Sequence, residues 1–267
     1  MIDSLLKKDK RLLYIYQLFY NSLNPKQKKI HKKIDNFLKL YSKFNHLENS
    51  RILNEYLKFL NSYIIDCKNF IRTKKYPYKI NKVAKIKRTS YEIALILSCL
   101  ITPHRFSIME EILKIKNLKK TLFIGAGTGL EIFLIKDRLN EFHAYDIGSS
   151  KFIYNIVPKK KFKKKNYNFT DSKFDTVFAI EFLEHLKRPY YFLENLYASM
   201  KKNSRLICTT AKNIPQFDHF YNFSISTDFE KKVKQIGFTI TYSNIISHKY
   251  DLQKIKSNNI FYILKKC

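Results

Sequence analysis

Residues 121–130 read TLFIGAGTGL. An apolar run meets three glycines in five residues, and the apolar pattern resumes in EIFLIKDRL, residues 131–139. A strand ending at Ile124 and a helix opening near Leu130 account for this texture. Glycine lets a chain turn tightly and approach a ligand, and a helix N-terminus offers free N–H groups. The glycines fall at Gly125, Gly127 and Gly129, which is G-x-G-x-G and not the dinucleotide pattern G-x-G-x-x-G. No Gly-Lys-Ser/Thr comes after them, which excludes a P-loop.

Around this stretch the chain has two textures. Residues 1–104 read as a helical N-terminal domain, with apolar residues at helical spacing: Leu5, Leu6, Leu12, Leu13 and Tyr16, then Ile30, Ile34, Phe37, Leu38 and Tyr41, then Ile52 to Ile64. Asn24-Pro25 separates the first two helices, Tyr76-Pro77 closes the third, and a fourth spans Ser90–Ile101. Residues 105–267 alternate short apolar runs with helical segments, which predicts parallel βαβ units. The expected strands are Thr121–Ile124, Phe142–Tyr145, Thr176–Ile180 and Arg205–Thr209. After a helix over Asp228–Ile236 and Gly237, FTITYSNIIS and NIFYILKK read as a terminal antiparallel hairpin.

Four features in order now resemble the class I S-adenosylmethionine-dependent methyltransferases. They are GAGTG after a strand, Asp146 in HAYD, the stretch FDTVFAIEFLEHLKRP (174–189), and MKKNSRLICTTAKN leading to a helix and hairpin. The resemblance covers residues 105–267. It implies a Rossmann-like, mostly parallel seven-stranded α/β sheet with an antiparallel C-terminal hairpin. It also implies an enzyme that binds S-adenosyl-L-methionine and releases S-adenosyl-L-homocysteine. Carried over position by position, it places the cofactor on Gly125, Ala126, Gly127 and Gly129, with Asp146 on both ribose hydroxyls and Ile147 on the adenine. Phe123 stands where the family's first motif usually has an acid; Glu131 is a candidate substitute, although a solvated helix residue is the preferred reading of it. Asn166 or Asn168 replaces the third-strand acid. Arg105 is a candidate for a cofactor or substrate carboxylate.

Glu181, Glu184 and His185 form ExxEH where the fourth strand gives way to a helix, and helical spacing would bring them together. His219 lies beyond the fifth strand. Three readings compete. Glu181 caps the helix and His185 packs; or His185 or His219, with Glu181 beside them, acts as a general base on a hydroxyl or amine; or Glu181, Glu184, His185 and His219 hold a divalent metal. The last looks like metal-dependent RNA 2′-O-methyltransferases. No metal is the primary expectation.

The chain has 51 basic and 22 acidic residues, a net charge of +29. Residues 1–104 hold 22 basic and 7 acidic residues and residues 105–267 hold 29 and 15, so the excess is spread evenly. Only 8 of the 51 are Arg, the residue suited to bidentate phosphate contacts. Background composition therefore explains the charge better than a nucleic-acid surface. The run of six lysines over 159–165 reads as a solvated edge. The four cysteines form no CxxC pair, and no apolar run reaches 18 residues; ALILSCLIT (94–102) is the longest candidate. The expectation is a cytoplasmic methyltransferase acting on oxygen or nitrogen of a small molecule. An RNA methyltransferase and a non-catalytic binding protein are the alternatives.

Overall fold

The computed structural model describes residues 1–77, 86–169, 173–248 and 256–267. Among these, the N-terminal part forms α1 (Ile2–Leu6), α2 (Lys10–Asn21), α3 (Pro25–Phe44), α4 (Asn49–Thr73), α5 (Arg88–Ile101) and α6 (Pro103–Lys114). Local chemistry sets their ends. Asp9 caps α2 by accepting from the amides of Arg11 and Leu12, which splits the expected first helix in two. Asn24 and Gln27 form a reciprocal capping box on α3, with Pro25 at its first position. The third expected helix ends at Thr73, ahead of Tyr76-Pro77.

The remainder builds a seven-stranded sheet in the order β3-β2-β1-β4-β5-β7-β6. The strands are β1 (Lys120–Ile124), β2 (Glu141–Tyr145), β3 (Phe162–Lys163), β4 (Thr176–Ala179), β5 (Arg205–Lys212), β6 (Phe238–Ser247) and β7 (Asn258–Lys266). Strands β1 to β5 run parallel, and β7 pairs antiparallel with both β5 and β6. Helices α7 (Leu130–Ile135), α8 (Pro189–Ser199) and α9 (Ser226–Ile236) complete the layers. The sheet, its hairpin and the helix over residues 226–236 agree with the sequence reading. The lysine run forms an edge, with Lys161 over the Phe142 ring and Lys163 over Tyr145.

Strand alternation sorts β1 between two cores. Leu122 and Ile124 face α8 and α9 with Leu193, Leu196, Phe229 and Val233. Phe123 faces the helical layer, in one apolar cluster with Ile34, Phe37, Leu97 and Phe106. The N-terminal helices thus share a core with one sheet face. Helix α5, which contains the apolar run at 94–101, is mostly buried there, and no single helix among the described residues is long and apolar enough to cross a membrane.

Candidate active site

Sheet order reverses between β1 and β4, and in such sheets the crevice beyond the strand C-termini at that point is where ligands sit. A cavity of about 950 Å3 occupies it here, roofed by α4 and α5. Its floor is the glycine loop. The amides of Gly125 and Ala126 both donate to the carbonyl of Tyr145, at 2.9 and 3.1 Å. Gly125, Gly127 and Gly129 all have positive φ (+71°, +53° and +83°), which a side chain would strain. A Cβ on Gly125 would lie 2.6 Å from the Phe182 ring, and one on Gly129 would lie 2.7 Å from Ile153. A Cβ on Gly127 would meet nothing nearer than 3.8 Å, and this residue leaves its backbone open to the cavity.

Asp146 locks that floor. One carboxylate oxygen accepts from Gly127 N (2.9 Å); the other accepts from Gly148 N (2.6 Å) and Ser149 N (2.7 Å). A carboxylate offers about four lone-pair sites. Three are taken, so Asp146 has room for one ligand hydroxyl where the sequence reading gave it two. Ile147 stands beside it on the cavity rim, 68% exposed. Asn166 also lines the cavity; Asn168 is not on its wall.

Four sequence expectations need correction. Phe123 does not face the cavity: its ring stacks on Phe178 at 5.0 Å inside the core, because strand alternation turns it away. Ala126 and Gly129 are buried or packed behind the loop and are not wall residues. Arg105 lines the cavity but is buried and ion-paired with Glu181, which stands where a ligand carboxylate was expected. Glu181 caps no helix. It sits at φ +48°, its amide donates to Thr209 Oγ1 (2.7 Å), and its carboxylate also accepts from Asn259 Nδ2 (2.6 Å). The chain then makes a single 3-10 turn, Leu183–His185, so the expected helical spacing is absent.

That turn still assembles a reactive cluster. Glu184, His185 and His219 each present a ligand atom within 4.8 Å of the others. Both Glu184 oxygens are buried without a hydrogen-bond partner, and burial, with Glu181 nearby, pushes its carboxyl up to about 8. His219 Nδ1 lies 2.8 Å from the Ile214 carbonyl, so it carries the proton and leaves the Nε2 lone pair. Burial holds His219 down to about 4. His185 Nδ1 lies 3.0 Å from the Asp218 carbonyl and 3.4 Å from its carboxylate, which likewise leaves Nε2 as the basic nitrogen. Burial opposes the charge on His185, yet Asp218 and Glu184 raise it above its usual range. The oxygen and nitrogen donors of Glu184, His185 and His219 suit a divalent ion; Glu181, committed to Arg105 and Asn259, drops out of the expected four-ligand set.

Residues 122–208 match the family described as a methyltransferase domain. The chain has the Rossmann-like methyltransferase fold. Solved structures with this fold include an O-methyltransferase family protein from Burkholderia thailandensis (TM-score 0.52, 9% identity, covering 80% of this chain and 71% of that one). Another is the N-methyltransferase NodS from Bradyrhizobium japonicum in complex with S-adenosyl-L-homocysteine (0.50, 9%, covering 80% and 98%). A third is the Haemonchus contortus phosphoethanolamine N-methyltransferase 2 with phosphomonomethylethanolamine and S-adenosylhomocysteine (0.50, 14%, covering 66% and 58%). At these identities the likeness is one of fold. No curated protein sequence matches the chain.

The site is completed by residues that the sequence reading missed or gave a lesser place. Glu131 was named only as a substitute, yet it lines the cavity with its carboxyl raised by burial. Asp218 accepts from Gln216 Nε2 (2.7 Å) and from the Tyr91 hydroxyl on α5. Glu92, 1% exposed, accepts from Arg88 Nε, Ser150 N and the Tyr41 hydroxyl, each at 2.9 Å. At the far side, the His104 and His248 rings stack at 3.6 Å, and His248 Nε2 donates to Asn259 (2.7 Å). None of these partners is near in sequence, so no local pattern announced them.

Proposed function

We propose that the protein is an S-adenosylmethionine-dependent methyltransferase that acts on an oxygen or nitrogen of a small molecule. One observation carries the reading: a single cavity joins the Asp146-locked glycine loop at one end to the His185–Asp218 pair at the other. The residues present suit the cofactor. Gly127 gives close backbone approach, Asp146 keeps one acceptor site, Ile147 and Asn166 border the adenine side, and Glu131 supplies a carboxylate for the amino group. When bound, the cofactor supplies an electrophilic methyl group on a sulfonium.

The protein's own part is orientation and proton handling. Asp218 fixes the His185 tautomer and supports the imidazolium that forms when Nε2 takes the acceptor's proton. His219, held neutral, packs edge-on against His185 at 4.8 Å. Calorimetry with S-adenosylhomocysteine tests the reading: micromolar binding, weakened at least tenfold in Asp146→Ala, is expected. No binding by the intact protein would overturn it.

A second reading adds a divalent ion on Glu184, His185 and His219. It is favoured by the two unpartnered Glu184 oxygens beside two imidazoles. Manganese binding followed by electron paramagnetic resonance, with Glu184→Gln as control, decides between the two.

A further inference from the structure

We propose that the half of the cavity walled by α4 and α5 is the acceptor site, and that it takes an uncharged aromatic molecule whose hydroxyl lies against His185. This rests on the methyl-transfer reading above and adds the class of acceptor.

The wall itself sets the body of the ligand. Tyr56, Phe59, Leu60 and Tyr63 come from α4, and Tyr91 and Leu95 from α5. Phe59 and Tyr91 already meet as tilted rings at 6.3 Å, the kind of geometry that a flat ring extends. The opposite end is taken by the glycine loop and Asp146, so the two ends are chemically distinct.

Charge sets the ligand's neutrality. Arg88, the one cation that α4 and α5 contribute to the wall among the described residues, is paired with Glu92 at 2.9 Å. Asp218 is matched by His185, and Glu181 by Arg105. A charged acceptor on this wall would bring in an ion with Arg88, Asp218 and Glu181 already engaged, which is costly away from water. Two further carboxyls, Glu184 and Asp66 of α4, are buried and are not among the residues that line the cavity. The exposed lining cations, Lys165, Lys187 and Arg188, lie on the loops after β3 and β4 and not on this wall.

The base sets the reacting group. A neutral amine can attack a methyl group before it loses a proton, whereas a weakly acidic hydroxyl gains most from a base in place. In the step, the acceptor oxygen forms its bond to the methyl carbon, the broken sulfur–carbon bond leaves its pair on sulfur, and the hydroxyl proton passes to His185 Nε2.

Three probes with one ring system test the site: 1-naphthol, 1-naphthylmethylammonium and 1-naphthoate, titrated into the protein with and without saturating S-adenosylhomocysteine. Naphthol should bind at least tenfold more tightly than either ion. Leu60→Glu should abolish that preference with S-adenosylhomocysteine affinity kept within twofold, and the cavity-filling Leu60→Trp should weaken naphthol at least tenfold. Equal or tighter binding of an ion, or naphthol affinity unchanged in both variants, would overturn the assignment. Loss of S-adenosylhomocysteine binding would remove the methyl-transfer reading alone, since the probe ranking is also read on the free protein.

Discussion

Replacing Glu184 by Gln should stabilise the protein in alkaline solution and not in acid. Its carboxyl is wholly buried, both oxygens lack partners, and burial raises it from 4.5 to about 8. A carboxyl raised on folding contributes stability that is fully present below its unfolded value. That contribution is lost as pH climbs through the folded value, here between about 4.5 and 8. At ~1.36 kcal/mol per unit, the full shift sets a ceiling of ~5 kcal/mol. Sharing of the proton with His185 reduces this, so about 2–5 kcal/mol is the working range. Gln has the same shape and no charge to acquire. Its amide is equally short of partners, but that cost is the same at both pH values. The diagnostic quantity is therefore the stability difference between variant and wild type at pH 9, less the same difference at pH 5. Urea unfolding in EDTA should give ~2–5 kcal/mol, or a relative Tm gain of several degrees at ~2–4 °C per kcal/mol. Asp66→Asn should behave alike over a window from 3.8 to about 7. A change below ~0.5 kcal/mol, or one of opposite sign, would show that Glu184 is not a stranded carboxyl and would refute the reasoning.

Gly125→Ala forces a side chain to φ +71° and into the Phe182 ring, at a cost of roughly 2–4 kcal/mol with loss of S-adenosylhomocysteine binding; Gly125→Ala with Phe182→Leu should recover part of both, and unchanged affinity in the single variant would count against the loop assignment. Asp218→Asn removes the carboxylate that supports the His185 imidazolium, so the His185 titration followed by NMR should move to lower pH. Any acid limb of a pH–rate profile should move with it. Arg105→Met strands Glu181 and should cost about 3–5 kcal/mol in denaturant unfolding, with part regained on adding Glu181→Gln.

Much of the fold was legible because its strands are short apolar runs bounded by turn residues. Thr121–Ile124 and Phe142–Tyr145 each lie within one residue of the observed strands, and FTITYSNIIS is β6 itself. The cavity lining was legible where the pattern is local, as in Gly125, Gly127 and Asp146. It was misread where a tertiary contact overrides local pattern. EFLEH scans as the start of a helix, yet Thr209 and Arg105 hold Glu181 in a left-handed turn. Phe123 occupies a motif position, but alternation in β1 commits it to the core. Asp218, Tyr91 and Glu92 matter only through partners remote in sequence, such as Ser150, 58 residues from Glu92.

The Glu92 junction bears on the entropy of ligand capture. One buried carboxylate on α5, braced by Arg88 of the same helix, fastens that helix to α3 through Tyr41 and through Ser150 to the turn that carries Asp146. The freedom of that turn is therefore surrendered when the helices dock, during folding, and not later when a ligand arrives. A loosened junction, as in Glu92→Gln, would shift this ordering to the binding step. It would appear as a less favourable binding entropy with the contacting residues all unchanged.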